Sequence, residues 1–161
     1  MFEGWEVVAA ESGGHAVRFR LIVGPDFVAR ALEVDADGPH GLRRLSVRRA
    51  PKGQWWVNGQ RRSDLDPSLD ADIAATPLTN TPTINRLDLA PGEVAEILVT
   101  WVDVPSLTIA LTEQRYERLP VDGADERRYR FTSGAFEAVI TTDSDGLVRD
   151  YQGFAERVFR R

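Results

Sequence analysis

The stretch "EVAEILVTWVDVPSLTIALTEQRYERL", residues 93–119, decides the fold. β-Branched and aromatic residues dominate it and are interrupted only by Pro105 and Ser106, so it predicts two long strands joined by a turn. In the first strand both alternating sets of residues are apolar: Ala95, Ile97, Val99 and Trp101 on one face, and Val94, Leu98, Val102 and Val104 on the other. Both faces are therefore expected to be covered, as in a rolled or closed sheet whose interior is either a packed core or a cavity for an apolar ligand.

Outside this stretch the dominant hydrophobic period is also two, which is typical of half-buried strands. The segments concerned are "HAVRFRLIV" (15–23), "FVARALEVD" (27–35), "LRRLSVRR" (42–49), "GQWWVNG" (53–59), "RRYRFTSG" (127–134), "AFEAVITTD" (135–143) and "GLVRDYQG" (146–153). This pattern predicts a mainly β protein with a single rolled or spiral antiparallel sheet, or a half-open barrel. The tail "GFAERVFRR" (153–161) predicts a short C-terminal helix, and residues 1–161 are expected to form one domain.

Composition excludes several kinds of chemistry. The 161 residues include no cysteine, which removes disulfides, thiolate nucleophiles and cysteine-ligated metals. The two histidines have no metal-ligand spacing, and neither a nucleophile elbow nor a phosphate-binding glycine loop is present, so we predict no catalytic residue, metal or cofactor. The N-terminus lacks the basic start and apolar run of a signal peptide, and no apolar run has the length of a membrane helix. We therefore expect a soluble, cytoplasmic protein without a membrane span.

Charge is distributed unevenly along the chain. Residues 38–63 contain seven basic and no acidic residues, although the formal net charge is −5. Such a segment could bind phosphate, a lipid head group or nucleic acid, or its arginines could pair with acids on neighbouring strands. No ladder of aromatic residues accompanies the patch, which disfavours nucleic acid as a partner.

Two aspartates and two arginines form a candidate polar cluster. In "DLDPSLDADIAATPLTNTPTINRL" (64–87), Asp70 and Asp72 lie two residues apart and would share one face of an extended segment. Buried carboxylates need partners, and Arg86 and Arg115 are the natural candidates. The cluster is either a structural clamp or a set of ligand contacts.

Polar turn-forming residues follow these aspartates. Thr79, Asn80 and Thr81 can hydrogen-bond the backbone of an irregular turn that Pro77 and Pro82 fix. We include Thr79 and Asn80 among the candidate ligand-binding residues.

The triplet "QRY" places Gln114 and Tyr116 on one face of its strand and Arg115 on the other, at the end of an apolar stripe. Arg115 could anchor a head group there or extend its charge to solvent from a strand end. Tryptophans could line a pocket, since the indole pairs an apolar body with an N–H donor, or they could belong to the core. The tryptophans concerned are Trp55, Trp56 and Trp101.

Four segments carry a resemblance to a known family. They are the aspartate pair with T-P-x-T-N and an arginine before leucine in residues 64–87, "VPSLTIALTEQRY" (104–116), "DSDGLVRDYQGFAERV" (143–158) and "GWEVV" (4–8). With these motifs the chain resembles the "putative glycolipid-binding" family of bacterial proteins over nearly its whole length. It departs from the family pattern at "NRL", where only Arg86 of an arginine pair is present, and at Gln152, which replaces a proline.

The resemblance implies a rolled β-sheet similar to bacterial lipoprotein carriers and a small amphipathic partner. We therefore expect non-catalytic binding of a glycolipid or lipid-like metabolite inside the rolled sheet. The alternatives are an enzyme that acts on a phosphorylated or glycosyl substrate through the aspartates and arginines, and an interaction module with a solid core. The candidate ligand-binding residues are Asp70, Asp72, Thr79, Asn80, Arg86, Trp101, Gln114, Arg115, Tyr116 and Trp55.

Overall fold

The structure, a computed structural model, describes residues 1–9, 14–74, 76–121 and 125–158. These residues form a mainly β protein with two sheets, one curled half-barrel and one short α-helix, as the sequence predicts in outline. The strands are β1 (Phe2–Val8), β2 (His15–Val23), β3 (Ala29–Gly38), β4 (Gly41–Arg49), β5 (Trp55–Val57), β6 (Gln60–Arg61), β7 (Asp70–Ile73), β8 (Val94–Val102), β9 (Ile109–Leu119), β10 (Glu126–Ser133), β11 (Phe136–Asp143), β12 (Val148–Tyr151) and β13 (Ala155–Glu156).

The first sheet is an antiparallel meander in chain order from β1 to β6. Its alternating pattern is the one expected from "HAVRFRLIV": Val17, Phe19 and Leu21 are buried. Because side chains alternate across a strand, Arg18 and Arg20 lie on the outer face.

Most arginines on the outer face of this sheet form ion pairs with acidic residues on neighbouring strands. Arg18 contacts Glu3 at 2.9 Å, Arg44 lies 3.5 Å from Asp35, and the structure places Arg48 within 3.9 Å of Glu33. This arrangement favours the second interpretation of the basic segment, a solvated strand face paired with neighbouring acids.

The second sheet contains seven strands in the order β13, β12, β11, β10, β9, β8, β7. The strands pair antiparallel except for β7, which runs parallel to β8 with Asp72 opposite Trp101. The expectation of one fully antiparallel sheet is therefore corrected to two sheets with one parallel edge. The correction follows from the connection after β7, which carries a helix and returns the chain in the same direction.

Both faces of the second sheet carry a hydrophobic core. Ile73 and Val102 belong to a core shared with the first sheet, whereas Tyr116, Phe131 and Ile140 belong to a second core on the opposite face. The two-sided pattern of β8 is thus confirmed for its C-terminal half, where Val99 and Val102 are buried, and not for Val94, which is exposed.

A short helix, α1 (Asn80–Leu87), covers the second core where the sequence suggested an irregular turn. A 3-10 turn at Pro77–Thr79 precedes it and is capped by the Thr76 hydroxyl, which accepts a hydrogen bond from the Leu78 amide. Pro82 lies in the first turn of α1, where backbone amides have no partner within the helix, so a proline is tolerated there. Among the residues described, no helix has the length and hydropathy to cross a membrane.

The C-terminal tail does not form the predicted helix within residues 153–158. The chain turns after Tyr151, with Gly153 at a φ of +73°, and returns as β13 beside β12. Tyr151 and Phe154 pack edge to face at 5.2 Å across this turn, so the apolar residues of the tail are used in a hairpin. The last part of the predicted helix, residues 159–161, lies outside the described residues.

Candidate ligand-binding cleft

Two buried aspartates project from the same face of the edge strand β7. Asp70 is 3% exposed and Asp72 is 9% exposed. Their shared face follows from the two-residue spacing, as the sequence predicts. Their environments nevertheless differ, and each carboxylate has its own set of partners.

Asp70 forms a bidentate ion pair with Arg86 in the last turn of α1. The Nε and Nη2 atoms of Arg86 donate hydrogen bonds of 2.9 and 2.6 Å to its two carboxylate oxygens. The predicted Asp70–Arg86 pairing is therefore confirmed. The structure pairs Arg115 with Glu117 instead, at 3.0 Å, because Arg115 points to the opposite face of β9.

Asp72 accepts hydrogen bonds from neutral side chains. The hydroxyl of Thr79 donates to Oδ1 and the amide of Gln114 donates to Oδ2, both at 2.6 Å. Burial raises the pKa of Asp72, and these two hydrogen bonds offset only part of that effect. Asp72 is thus a buried carboxyl that has neutral hydrogen-bond donors, and no cation partner, among the described residues.

A chain of buried hydrogen bonds runs from Asp72 through Gln114 and Tyr116 to Asn80. Asn80 donates from Nδ2 to the hydroxyl of Tyr116 at 2.9 Å, and Tyr116 donates to Oε1 of Gln114 at 3.1 Å. Burial raises the pKa of Tyr116 well above its ordinary value, so the phenol keeps the proton that it donates. The donors along this chain all point toward Asp72, which fixes the orientation of Gln114.

An aromatic cleft of about 450 Å³ lies directly over this network. Aromatic side chains supply much of its lining: Trp101, Phe131, Phe136, Tyr151 and Phe154. The polar side chains that reach it include Asp72, Asn80, Thr112, Gln114 and Ser133. An apolar cleft with a few convergent polar groups is the usual form of a small-molecule site.

Strand register explains why these residues meet. Gln114 lies opposite Ile97, Trp101 lies opposite both Asp72 and Ala110, and Phe131 lies opposite Tyr116. Their side chains therefore fall on one face of the second sheet, with Tyr151 brought in by β12. The aromatic wall packs edge to face, with the Phe131 and Tyr151 centroids 6.0 Å apart.

A second, polar hollow of about 630 Å³ lies beside this cleft and includes Asp70, Arg86, Arg115 and Gln114 in its lining. It is the larger space, but both of the arginines in its lining are already paired, Arg86 with Asp70 and Arg115 with Glu117. We take the aromatic cleft as the candidate site because it combines apolar walls with a carboxyl that has no cation partner among the described residues.

The candidate residues from the sequence thus fall into four places. Asp72, Asn80, Trp101 and Gln114 line the aromatic cleft. Thr79 and Tyr116 are buried in the hydrogen-bond network beneath it, and Asp70, Arg86 and Arg115 line the polar hollow. Trp55 lies in the core shared by the two sheets and donates from Nε1 to the carbonyl of Ser68 at 3.1 Å.

Sequence reasoning missed much of the aromatic wall, which is formed by Phe131, Phe136, Tyr151 and Phe154. These residues are far from the polar motif in sequence, and only strand pairing brings them to it. The alternation of Tyr129 and Phe131 in β10 was the available signal, since it marks an apolar face.

Comparisons with known proteins agree with this architecture. No curated protein matches the chain at a significant level. A crystal structure of a DUF1089 family protein from Pseudomonas aeruginosa is similar, with a TM-score of 0.82 and 28% sequence identity over 97% of this chain and 92% of that one. The family model described as "Putative glycolipid-binding" matches residues 2–157, and the chain therefore belongs to that family.

Proposed function

We propose that this protein binds an amphipathic molecule, a glycolipid or a lipid-like metabolite, in the aromatic cleft without transforming it. The observation that carries the proposal is the cleft itself, in which aromatic walls stand over the network of Asp72, Gln114, Tyr116 and Asn80. Aromatic rings bury the apolar part of such a ligand, and the convergent polar groups bind its head.

The size of the cleft limits what it encloses. At roughly 30 Å³ for each water-sized group, its 450 Å³ holds about fifteen such groups. That space suits one sugar ring with a short apolar substituent, or the head and first carbons of a longer chain. Phe136 and Phe154 are about half exposed and line the cleft, so a longer chain would leave past them.

The placement of the charges favours binding over catalysis. Acid-base chemistry by a carboxylate pair would need both Asp70 and Asp72 free to exchange protons with a substrate. Both oxygens of Asp70 are occupied by Arg86, and Asp70 lines the polar hollow while Asp72 lines the cleft.

As part of the same proposal we place the protein in the cytoplasm, and we propose that it consists of one domain.

Native mass spectrometry of protein purified from its own host tests this function. We expect a copurified mass that organic extraction identifies as an amphipathic molecule. Thr112→Phe fills the cleft and should abolish the adduct, whereas Thr132→Phe, which adds the same ring on the opposite face of the sheet, should retain it. An adduct that is lost only in Thr132→Phe would contradict the choice of cleft. No adduct, together with no binding of added alkyl glycosides, would favour an interaction module.

A further inference from the structure

The cleft lining is poor in charge. Among the described residues that line it, Asp72 is the only acid, and lysine, arginine and histidine are absent. Thr112, Gln114, Asn80 and Ser133 contribute neutral groups that both donate and accept hydrogen bonds. A ligand entering the cleft therefore meets neutral polar groups and one buried carboxyl.

The arginine that pairs with Asp70 is not available to the cleft. Arg86 binds both oxygens of Asp70 and is only 16% exposed at its side chain. An anionic head group placed against Asp72 would lose its hydration and meet a group of the same sign or a neutral acid. Burial of an anion without a matching cation is strongly unfavourable.

The hydrogen-bond geometry at Asp72 suits hydroxyl groups. Its two oxygens accept one bond each from Thr79 and Gln114, and a carboxylate has about four acceptor positions in all. Further donors can therefore be accepted from the cleft side. Burial also raises the pKa of Asp72, which weakens its value as a permanent counterion for an amine.

We infer that the head group bound in the aromatic cleft is uncharged and hydroxyl-bearing, a neutral sugar or polyol, and that the cleft rejects phosphate, sulfate and carboxylate heads. This inference rests on the proposed function and specifies the chemical class of its ligand. The apolar face of the sugar ring packs against the aromatic wall, and its hydroxyls bond to Asp72, Gln114 and Asn80.

Three ligands with the same tail test the inference: octyl glucoside, octyl sulfate and octylammonium, each titrated below its micelle concentration. We expect the glucoside to bind at least about tenfold more tightly than either charged ligand, since discrimination of this size needs only one unfavourable charge contact. Equal or tighter binding of octyl sulfate or octylammonium would overturn the inference and leave the proposed function standing. Failure of all three to bind would overturn both.

Two variants test whether Asp72 causes the preference for a neutral head group. Asp72→Asn removes the carboxyl and should strengthen octyl sulfate binding by about tenfold relative to the glucoside. Glu113→Gln removes the same charge from the opposite face of β9, outside the cleft, and should leave the preference unchanged. An unchanged preference in Asp72→Asn, or a shift in Glu113→Gln of the same size, would show that Asp72 does not select the head group.

Discussion

The guanidinium of Arg86 binds both oxygens of Asp70, at 2.9 and 2.6 Å, and so ties the last turn of α1 to the edge strand β7. The pair spans sixteen residues and is largely buried, with side-chain exposures of 16% for Arg86 and 3% for Asp70. It holds the helix over the second core, where Ile84 packs. In that position Thr76 and Asn80, which flank the 3-10 turn, line the aromatic cleft.

Arg86→Met should destabilise the protein by about 3 to 5 kcal/mol, because it leaves the buried Asp70 carboxylate without its partner. Urea unfolding followed by circular dichroism measures the change. Asp70→Asn combined with Arg86→Met should recover part of the loss, since the uncompensated charge is then removed.

Arg30→Met is the matched control for this prediction. Arg30 also pairs with an aspartate, since its Nη2 atom donates to both oxygens of Asp26, but both side chains are exposed, at 37% and 52%. The loss should be about 1 kcal/mol or less. If Arg86→Met costs no more than Arg30→Met, the Asp70 pair does not anchor the helix.

A second prediction concerns the phenol at the centre of the cleft network. Tyr116→Phe removes a hydroxyl that accepts from Asn80 and donates to Gln114, and should cost about 1 to 3 kcal/mol because both buried partners lose a bond. Tyr129 is equally buried, and its hydroxyl lies near the Arg127 side chain but forms no hydrogen bond of good geometry among the described residues. Tyr129→Phe should therefore be neutral or slightly stabilising. Thermal denaturation of both variants measures the two stability changes. Equal losses would mean that the hydrogen bonds of the Tyr116 hydroxyl do not stabilise the fold.

The strands could be predicted from the sequence to a much larger extent than the cleft. Alternation in "HAVRFRLIV" and the two-sided pattern of β8 depend on short-range periodicity, which a chain displays directly. The Asp70–Arg86 pair could be anticipated because buried carboxylates need partners. By contrast, strand order and register determine that Trp55 lies in a core and that Phe131 and Asp72 line the same cleft. No local sequence pattern contains this information.

The tail and the "TNTPTINRL" segment explain why the helix forms at Asn80–Leu87 and not at the C-terminus, where periodicity predicts it. Helix periodicity in residues 153–158 competes with hairpin formation around Gly153 and with packing of Phe154 against Tyr151, and the tertiary contacts prevail. In α1 the prolines fall only before or within the first turn, so the residues that suggest a turn also start the helix.

A third prediction is that Asp72 reduces stability as the pH rises. Burial raises its pKa above the ordinary 3.8, so between that value and the raised pKa the folded state binds more protons than the unfolded state. The stability that this group contributes is therefore greatest below 3.8 and is lost as the pH rises through the raised pKa. Among the described residues, the titratable groups that interact with Asp72 are Asp70, Tyr116 and Tyr151, and none of them supplies a compensating positive charge.

The free energy of unfolding of Asp72→Asn, minus that of the wild type, should therefore increase as pH rises above 3.8 and level off above the raised pKa of Asp72. Any hydrogen bond that the asparagine side chain fails to make is lost at every pH. It therefore changes the stability difference by a constant amount. Asp143→Asn is the control of opposite sign. Burial acts to raise the pKa of Asp143, but hydrogen bonds from Arg157 and the Leu147 amide outweigh it and lower the pKa. That variant should lose stability relative to the wild type as pH rises from the lowered pKa to 3.8, and the loss should stay constant above 3.8. A flat difference for Asp72→Asn above 3.8 would contradict the assignment.

The last prediction uses Trp101 as a reporter of the cleft. Of the four tryptophans, Trp101 lines the cleft, Trp55 is fully buried in the other core, and Trp5 and Trp56 lie exposed on the first sheet. Titration with octyl glucoside should shift the indole emission to shorter wavelength, because the ligand displaces water from Trp101. Trp101→Phe should remove most of this shift while retaining measurable binding by calorimetry, and Trp56→Phe should retain the shift. An emission shift that persists in Trp101→Phe but disappears in Trp56→Phe would indicate that the ligand binds to the outer face of the first sheet instead of the cleft.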